Sequence, residues 1–307
     1  MNDKILNPVT VVKKALLSIL LLMSFSIPSF ADGEILVLQS DRIPPYEDAL
    51  KGFLSVSTLK IKRVVLKEQK SFNITEEIRK TSPPLILAIG RDALVNVRGI
   101  RDIPVVYMMV LTPQSIIDHG ENFYGINWNV LPAKQLEEYT KAIPNLSNIG
   151  LIYNPANTGE LAEKVVKAAE KKGIQLIVRK ATKASDVPSL LKDMSDKISA
   201  FWMLPDITLM TPESIELLLI TSMEKSIPIL TFSNKYVEMG ALMSVAVDPH
   251  DMGMQAGELA KKIMSGDIKG EDKRIFARKG IISFNTKVAE KLGIELKQEV
   301  NPHTKIN

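Results

Sequence analysis

The sequence predicts an α/β protein built as two lobes, each a mainly parallel sheet covered by helices. Three observations carry this expectation. Short apolar runs of strand length recur along the chain, amphipathic helical periods lie between many of them, and 307 residues exceed the roughly 100–150 that one core usually serves.

The strand runs fall at 35–38, 85–89, 105–109, 149–153, 175–178, 200–204, 227–232 and 241–247. They are continuously apolar, with little alternation, which suits strands covered on both faces. Over 157–172, Leu161, Val165 and Ala169 share one helical face, Lys164, Lys167 and Lys171 point away, and Gly173 is the stop. Over 212–225, Ile215, Leu218, Leu219, Ser222 and Met223 follow helical spacing, with Thr211 as N-cap and Pro212 in the first turn. Met252, Ala256, Leu259, Ala260 and Ile263 line a helix over 249–265, in which Gly253 and Gly257 are suited to close helix packing. The segment ENFYGINWNVLPAKQL (121–136) interrupts the alternation with turn residues and places a first crossing between lobes near Asn127. Two hexapeptides, LTPQSI (111–116) and MTPESI (210–215), repeat one strand-exit device in the two halves.

Residues 1–31 read as a signal peptide. Lys4, Lys13 and Lys14 precede an apolar core ending near Phe25, and SIPSFA supplies a cleavage pattern after Ala31. That core is shorter than the roughly 20 residues a spanning helix needs, although an uncleaved anchor is the alternative. With no cysteine there is neither a lipidation site nor a disulfide framework, so the expectation is a soluble protein of the periplasm. Half of the formal net charge of +4 comes from the leader, and the rest of the chain is near charge balance. The remaining lysines are dispersed along helices, which gives no support to nucleic-acid binding.

Enzyme motifs are absent. The chain has no phosphate loop, no G-x-G-x-x-G turn and no G-x-S-x-G elbow, and His119, His250 and His303 are too scattered to hold a metal. No cofactor is expected, and a binder of small molecules is the economical reading.

The segments IPILTFSNKYVEMGALMSVAVDPHDMGMQAGELAKKIMSG (227–266), NIGLIYNPANT (148–158), IPVVYMMVLTP (104–113) and ISFNTKVAEKLGIEL (282–296) resemble the ABC transporter substrate-binding protein family. The characterised members of that group include aromatic amino-acid binders. The resemblance runs from about Ile35 to Leu296. It implies two Rossmann-like lobes of the type I periplasmic binding protein architecture, with lobe one from 32–126 and 245–278 and lobe two from 127–244 and 279–307. It further implies a small ligand closed between the lobes, a permease partner with a separate ATPase subunit, and membrane contact only through that permease or an uncleaved leader. A ligand sensor or scaffold on the same fold is the alternative function. A repressor-like effector domain is disfavoured by the leader and by the lack of a helix-turn-helix.

Site residues carry over unevenly. Asp206 stands where the family has an acidic residue after a strand-end proline, suited to a ligand ammonium. Thr112 and Ser233 match polar family positions, whereas Asn234 replaces an acidic one. Gly90 and Arg91 replace small hydroxyl residues, and a guanidinium there could clamp a ligand carboxylate; the alternative is a surface charge paired with Asp92 or Glu47. Arg91 and Asp206 would then hold the two ends of a zwitterion, with Trp128 or Tyr46 as apolar cover. Asp248 fits helix capping or the cleft, Asn154 a turn or a strand-end ligand contact, and Asn127 with Trp128 either hinge or stacking. Ser40 and Asp41 face the cleft or merely turn the chain.

Overall fold

The computed structural model describes residues 33–117, 122–143 and 145–295, together with the backbone of 304–306. The leader expected over 1–31 and the histidines His119 and His303 lie outside the described residues.

From the amino end, β1 (Ile35–Gln39), β2 (Ile61–Val65), β3 (Ile86–Ile89), β4 (Val105–Met108) and β5 (Phe123–Val130) enter a first sheet. The next five strands, β6 (Asn148–Tyr153), β7 (Gln175–Lys180), β8 (Ala200–Trp202), β9 (Ile229–Thr231) and β10 (Met243–Val247), enter a second. The chain then returns to the first sheet with β11 (Arg274–Ala277) and closes the second with β12 (Gly280–Phe284) and β13 (Thr304–Ile306).

The two halves share one wiring. The first sheet runs β11-β5-β4-β3-β1-β2 and the second β13-β12-β10-β9-β8-β6-β7. All neighbours are parallel except the β10–β12 and β12–β13 pairs. Stripped of the later strands, each is the doubly wound order in which the strand sequence reverses beside the first strand. That reversal opens a crevice at the carboxyl edge, between β1 and β3 in one lobe and between β6 and β8 in the other.

The first-lobe helices are α1 (Pro44–Val56), α2 (Ile74–Thr81) and α3 (Arg91–Val97); the second lobe adds α4 (Pro132–Ala142), α5 (Pro155–Lys172), α6 (Val187–Ser195), α7 (Pro212–Lys225) and α8 (Asn234–Met239). Helix α9 (Pro249–Met264) returns to pack on α1, and α10 (Thr286–Lys291) follows β12. The α1–α9 contact brings the two backbones together: a Cβ on Gly253 would lie 1.8 Å from the Ala49 carbonyl oxygen, and one on Gly257 would lie 3.0 Å from that of Phe53. Thr211 caps α7 by accepting from the Ser214 N–H, and Gly173, at φ 68°, ends α5 as expected.

The first two crossings fall later than the sequence suggests. Residues 127–130 are not a turn but the end of β5, which pairs with β11 as far as Val130↔Ala277. Residues 245–247 belong to β10 in the second sheet, not to the first lobe. The chain therefore crosses after Val130, near Asp248 and near Lys279, where the Asp248 N–H donates to the Lys279 carbonyl at 3.3 Å. Arg278, beside the third crossing, is held on α9 by Asp251 at 2.9 Å and Glu258 at 2.9 Å.

The core beneath β6, β8 and α4 is aromatic. Tyr139 and Trp202 pack edge to face with centroids 5.3 Å apart, and the Tyr139 hydroxyl donates to the Thr231 carbonyl at 2.9 Å. Burying side chains of this size stabilises the fold by roughly 1.5–3 kcal/mol each.

Candidate functional site

The carboxyl edges of the two sheets face one another, and a cavity of about 260 Å³ opens between them. One wall comes from the first lobe: Leu111, Pro113 and Gln114 after β4, Asn127 and Asn129 on β5, and Arg274 and Phe276 on β11. The other comes from the second lobe, as Pro205 after β8 and the amino end of α5 from Pro155 to Lys164. The Gln114 amide donates across the gap to the Asn157 carbonyl.

Strand alternation decides which side chains reach this space. Asn127 and Asn129 lie two apart and both line it, and Phe276 is the register partner of Asn127 on β11. Trp128 points to the opposite face and packs with Ile126 and Val130 in the main core. Trp128 is thus half-buried against the core and not among the residues that line this cavity, and Tyr46 likewise packs against that core.

Asp206 also differs from expectation. Its carboxylate is buried, with 1% exposure, and is saturated from within its own lobe. One oxygen accepts the Asn154 N–H at 2.9 Å and the Thr158 hydroxyl at 2.7 Å; the other accepts the Thr208 N–H at 3.1 Å and the Asn157 amide at 3.3 Å. A carboxylate offers about four acceptor positions, so these donors occupy it. Asp206 ties the β8 exit to the first turn of α5 across the β6/β8 crevice. It acts by positioning Asn157 and Thr158, which do line the cavity. Thr158, at φ −126°, departs from the helical path inside α5.

The remaining expected residues are scattered around the cavity. Asn154 is the N-cap of α5 and accepts from the Ala156 N–H at 3.0 Å; Asp248 caps α9, accepting from His250 at 3.0 Å. Thr112 is buried beside the cavity-lining Leu111 and Pro113, its hydroxyl 3.3 Å from that of Ser115. Ser233 precedes α8 without a side-chain cap bond, and Asn234 donates to Glu238 at 2.6 Å along that helix. Arg91 is exposed at the start of α3, away from the cavity lining, and makes no ion pair among the described residues. Glu47 pairs instead with Arg63. The expected Arg91–Asp206 charge pair is therefore not the one that faces the cavity.

The charges that do face it were not singled out from the sequence. Arg274 and Lys164 line the cavity with Glu160, whose carboxylate is 3.7 Å from the Lys164 ammonium. That ammonium also sits 5.7 Å from the centre of the Phe276 ring. Both charge signs, several amides and one aromatic face thus meet at the amino end of a helix, where the dipole favours anions. Among the described residues no His, Asp and Glu cluster is placed to hold a metal ion, and no helix is long and apolar enough to cross a membrane.

Several known proteins are similar to this chain. A curated tyrosine-binding protein of Clostridioides difficile (strain R20291) is 25% identical over 196 residues, a stretch covering 61% of this chain and 56% of that protein. The alignment thus spans little more than half of the relative's length. A solved substrate-binding protein with adhesive properties from Clostridium difficile, in its ligand-free, open form, superposes with a TM-score of 0.63 at 20% identity, covering 86% of this chain and 95% of that one. A domain from Streptococcus pneumonia solved in complex with L-Trp gives 0.57 at 22% identity, covering 87% and 96%. At such identities these superpositions speak for the fold. The profile of the ABC transporter substrate binding proteins, however, matches residues 53–305, and on that match the chain belongs to the ABC transporter substrate binding protein family.

Proposed function

We propose that this protein is the exported solute-binding component of an ABC uptake system. It closes its two lobes by hinge motion on a small zwitterion, an amino acid or a relative of one, and presents the closed form to a permease driven by a separate ATPase subunit. The observation that carries this reading is the cavity between the carboxyl edges of the sheets, lined by Arg274 and Lys164 on one hand and Glu160 on the other. Both charge signs that a zwitterion needs line one small space, with Glu160 paired to Lys164 on α5 and Arg274 contributed by the other lobe, and Phe276 with Leu111 offers apolar cover. The tyrosine-binding relative and the tryptophan-bound neighbour support an amino acid with a flat side chain. Three adjacent crossings between lobes fit hinge closure, and the leader over 1–31 fits export.

Thermal-shift screening tests this against L-amino acids, short peptides, purines and organic anions. Ligand at about 100 times its Kd adds about 2.7 kcal/mol of stability, which for lobes of this size raises Tm by roughly 5 °C or more. At least one zwitterion is expected to do so. A flat response across the panel would reject the binding function.

A further inference from the structure

Tyr107 is the buried polar group that the fold leaves unserved beside the cavity. Its side chain is 1% exposed, and its hydroxyl has no hydrogen-bond partner among the described residues. A phenol hydroxyl buried without a partner costs roughly 1–3 kcal/mol, so native structures rarely leave one without a purpose.

The sheet explains where this hydroxyl points. Across the register, Tyr107 on β4 is level with Gly125 on β5, and Gly125 is level with Arg274 on β11. The phenol ring lies directly over Gly125: a Cβ at that position would sit 2.1 Å from the ring's Cζ. A glycine in mid-strand therefore lets Tyr107 cross its neighbour and deliver its oxygen toward Arg274, which lines the cavity. Burial pushes the phenol's pKa up, and the nearby Arg274 guanidinium pulls it partly back. Arg274 itself, half-buried in the lining, makes no ion pair among the described residues. Lys164 stands close by over Phe276. The acid in the lining, Glu160, has 77% of its side chain exposed and pairs with Lys164 at 3.7 Å, which leaves Arg274 as the cation of the lining without an ion pair among the described residues.

We propose that the Arg274 guanidinium and the Tyr107 hydroxyl, with the Lys164 ammonium beside them, form a seat for the carboxylate of the ligand. The seat rests on the cavity being the ligand site and adds to that reading the end of the molecule that goes in first. A planar guanidinium matches a carboxylate through two parallel N–H donors, and the phenol supplies a third donor. The carboxylate would provide the counter-charge that Arg274 does not have among the described residues and an acceptor for the Tyr107 hydroxyl, which leans on Arg274 alone.

The test compares acids with their amides, which keep the shape and remove the charge. L-tyrosine, L-tryptophan and 3-phenylpropionate, with L-tyrosinamide, L-tryptophanamide and 3-phenylpropionamide, are titrated calorimetrically into the full protein and into its Arg274→Gln, Arg274→Lys and Tyr107→Phe variants. Circular dichroism verifies that each variant is folded. The seat predicts that acids bind at least about tenfold more tightly than their amides, and that Arg274→Gln removes this preference. It also predicts that Arg274→Lys restores part of it and that Tyr107→Phe weakens acids about tenfold while sparing amides. Acids and amides binding equally to the wild-type chain would overturn the seat and leave the binding function standing. So would an acid preference that survives both Arg274→Gln and Tyr107→Phe, or a ligand found in the wider panel that carries no carboxylate. Binding of no compound at all would remove the binding function and the seat together.

Discussion

Asp206 and Tyr107 are both buried polar groups near the carboxyl edge of a sheet, one in each lobe, and their surroundings are opposite. Asp206 receives four donors from its own lobe. Tyr107 receives none among the described residues. The first is therefore scaffold at the crevice where a ligand residue was expected, and the second is unfinished chemistry in what the sequence presents as plain core. A ligand site is better located by buried groups left wanting than by the charge of a residue at a strand end, because a saturated carboxylate has nothing left to offer a guest.

The largest expected effect breaks the saturated side of this contrast. Asp206→Ala leaves the buried Asn154 N–H and the half-buried Thr208 N–H with no acceptor, and the Thr158 hydroxyl with only the Asn154 carbonyl at 3.4 Å. At roughly 1–3 kcal/mol for each group stranded, the net loss after relaxation should be about 3 kcal/mol, measured as a fall in the urea midpoint at constant slope. Asp206→Asn keeps the shape and two acceptor positions and should lose about half as much. If Asp206 instead served the ligand, both variants would unfold like the wild-type chain while binding fell. A smaller effect comes from Gly125→Ala. The added methyl occupies the place of the Tyr107 ring, and overpacking of this kind costs about 1–3 kcal/mol. It should also displace the phenol from Arg274 and weaken binding. Wild-type stability in Gly125→Ala would mean that the ring does not cross β5 as described.

Legibility in the sequence follows the same line. Strands β1, β3, β4, β6 and β8 to β10 are legible because they are apolar on both faces and nearly every residue is buried. Strand β5 reads as a turn and β11 as nothing at all, although both are regular members of the first sheet. The reason is physical: Asn127, Asn129 and Arg274 face the cavity, and polar residues on that face interrupt the apolar run by which a buried strand is recognised. The residues that build the site are thus the ones that hide the strands carrying it. The misplaced first crossing has the same origin, since 127–130 carries two of those asparagines. Strand β2 was missed because its Lys62 and Arg63 belong to a partly exposed sheet edge. By contrast, the caps at Thr211 and Asp248 were readable, because a Thr or Asp before a proline specifies a helix start locally and needs no tertiary information. What no local signal could give was the direction of the Tyr107 ring. That depends on a glycine eighteen residues later, which is its neighbour only through the β4–β5 register.

The smallest expected stability change is the sharpest test of the contrast, because its sign is opposite to that of Asp206→Ala. Tyr107→Phe removes one oxygen that the described fold does not hydrogen-bond and retains the ring over Gly125. Folding then no longer requires a hydroxyl to be stripped of water without return, so the variant should equal the wild-type chain or exceed it by about 1 kcal/mol in ligand-free urea unfolding. Loss of the attraction between the phenol and Arg274 works in the other direction, and in a partly solvated cleft it is worth less than that. If Tyr107→Phe were instead destabilised by more than about 1 kcal/mol without ligand, its hydroxyl would have a partner within the fold. Tyr107 would then be a second Asp206, a group spent on holding its own lobe together, and the floor of the cavity would have no vacancy for a guest to fill.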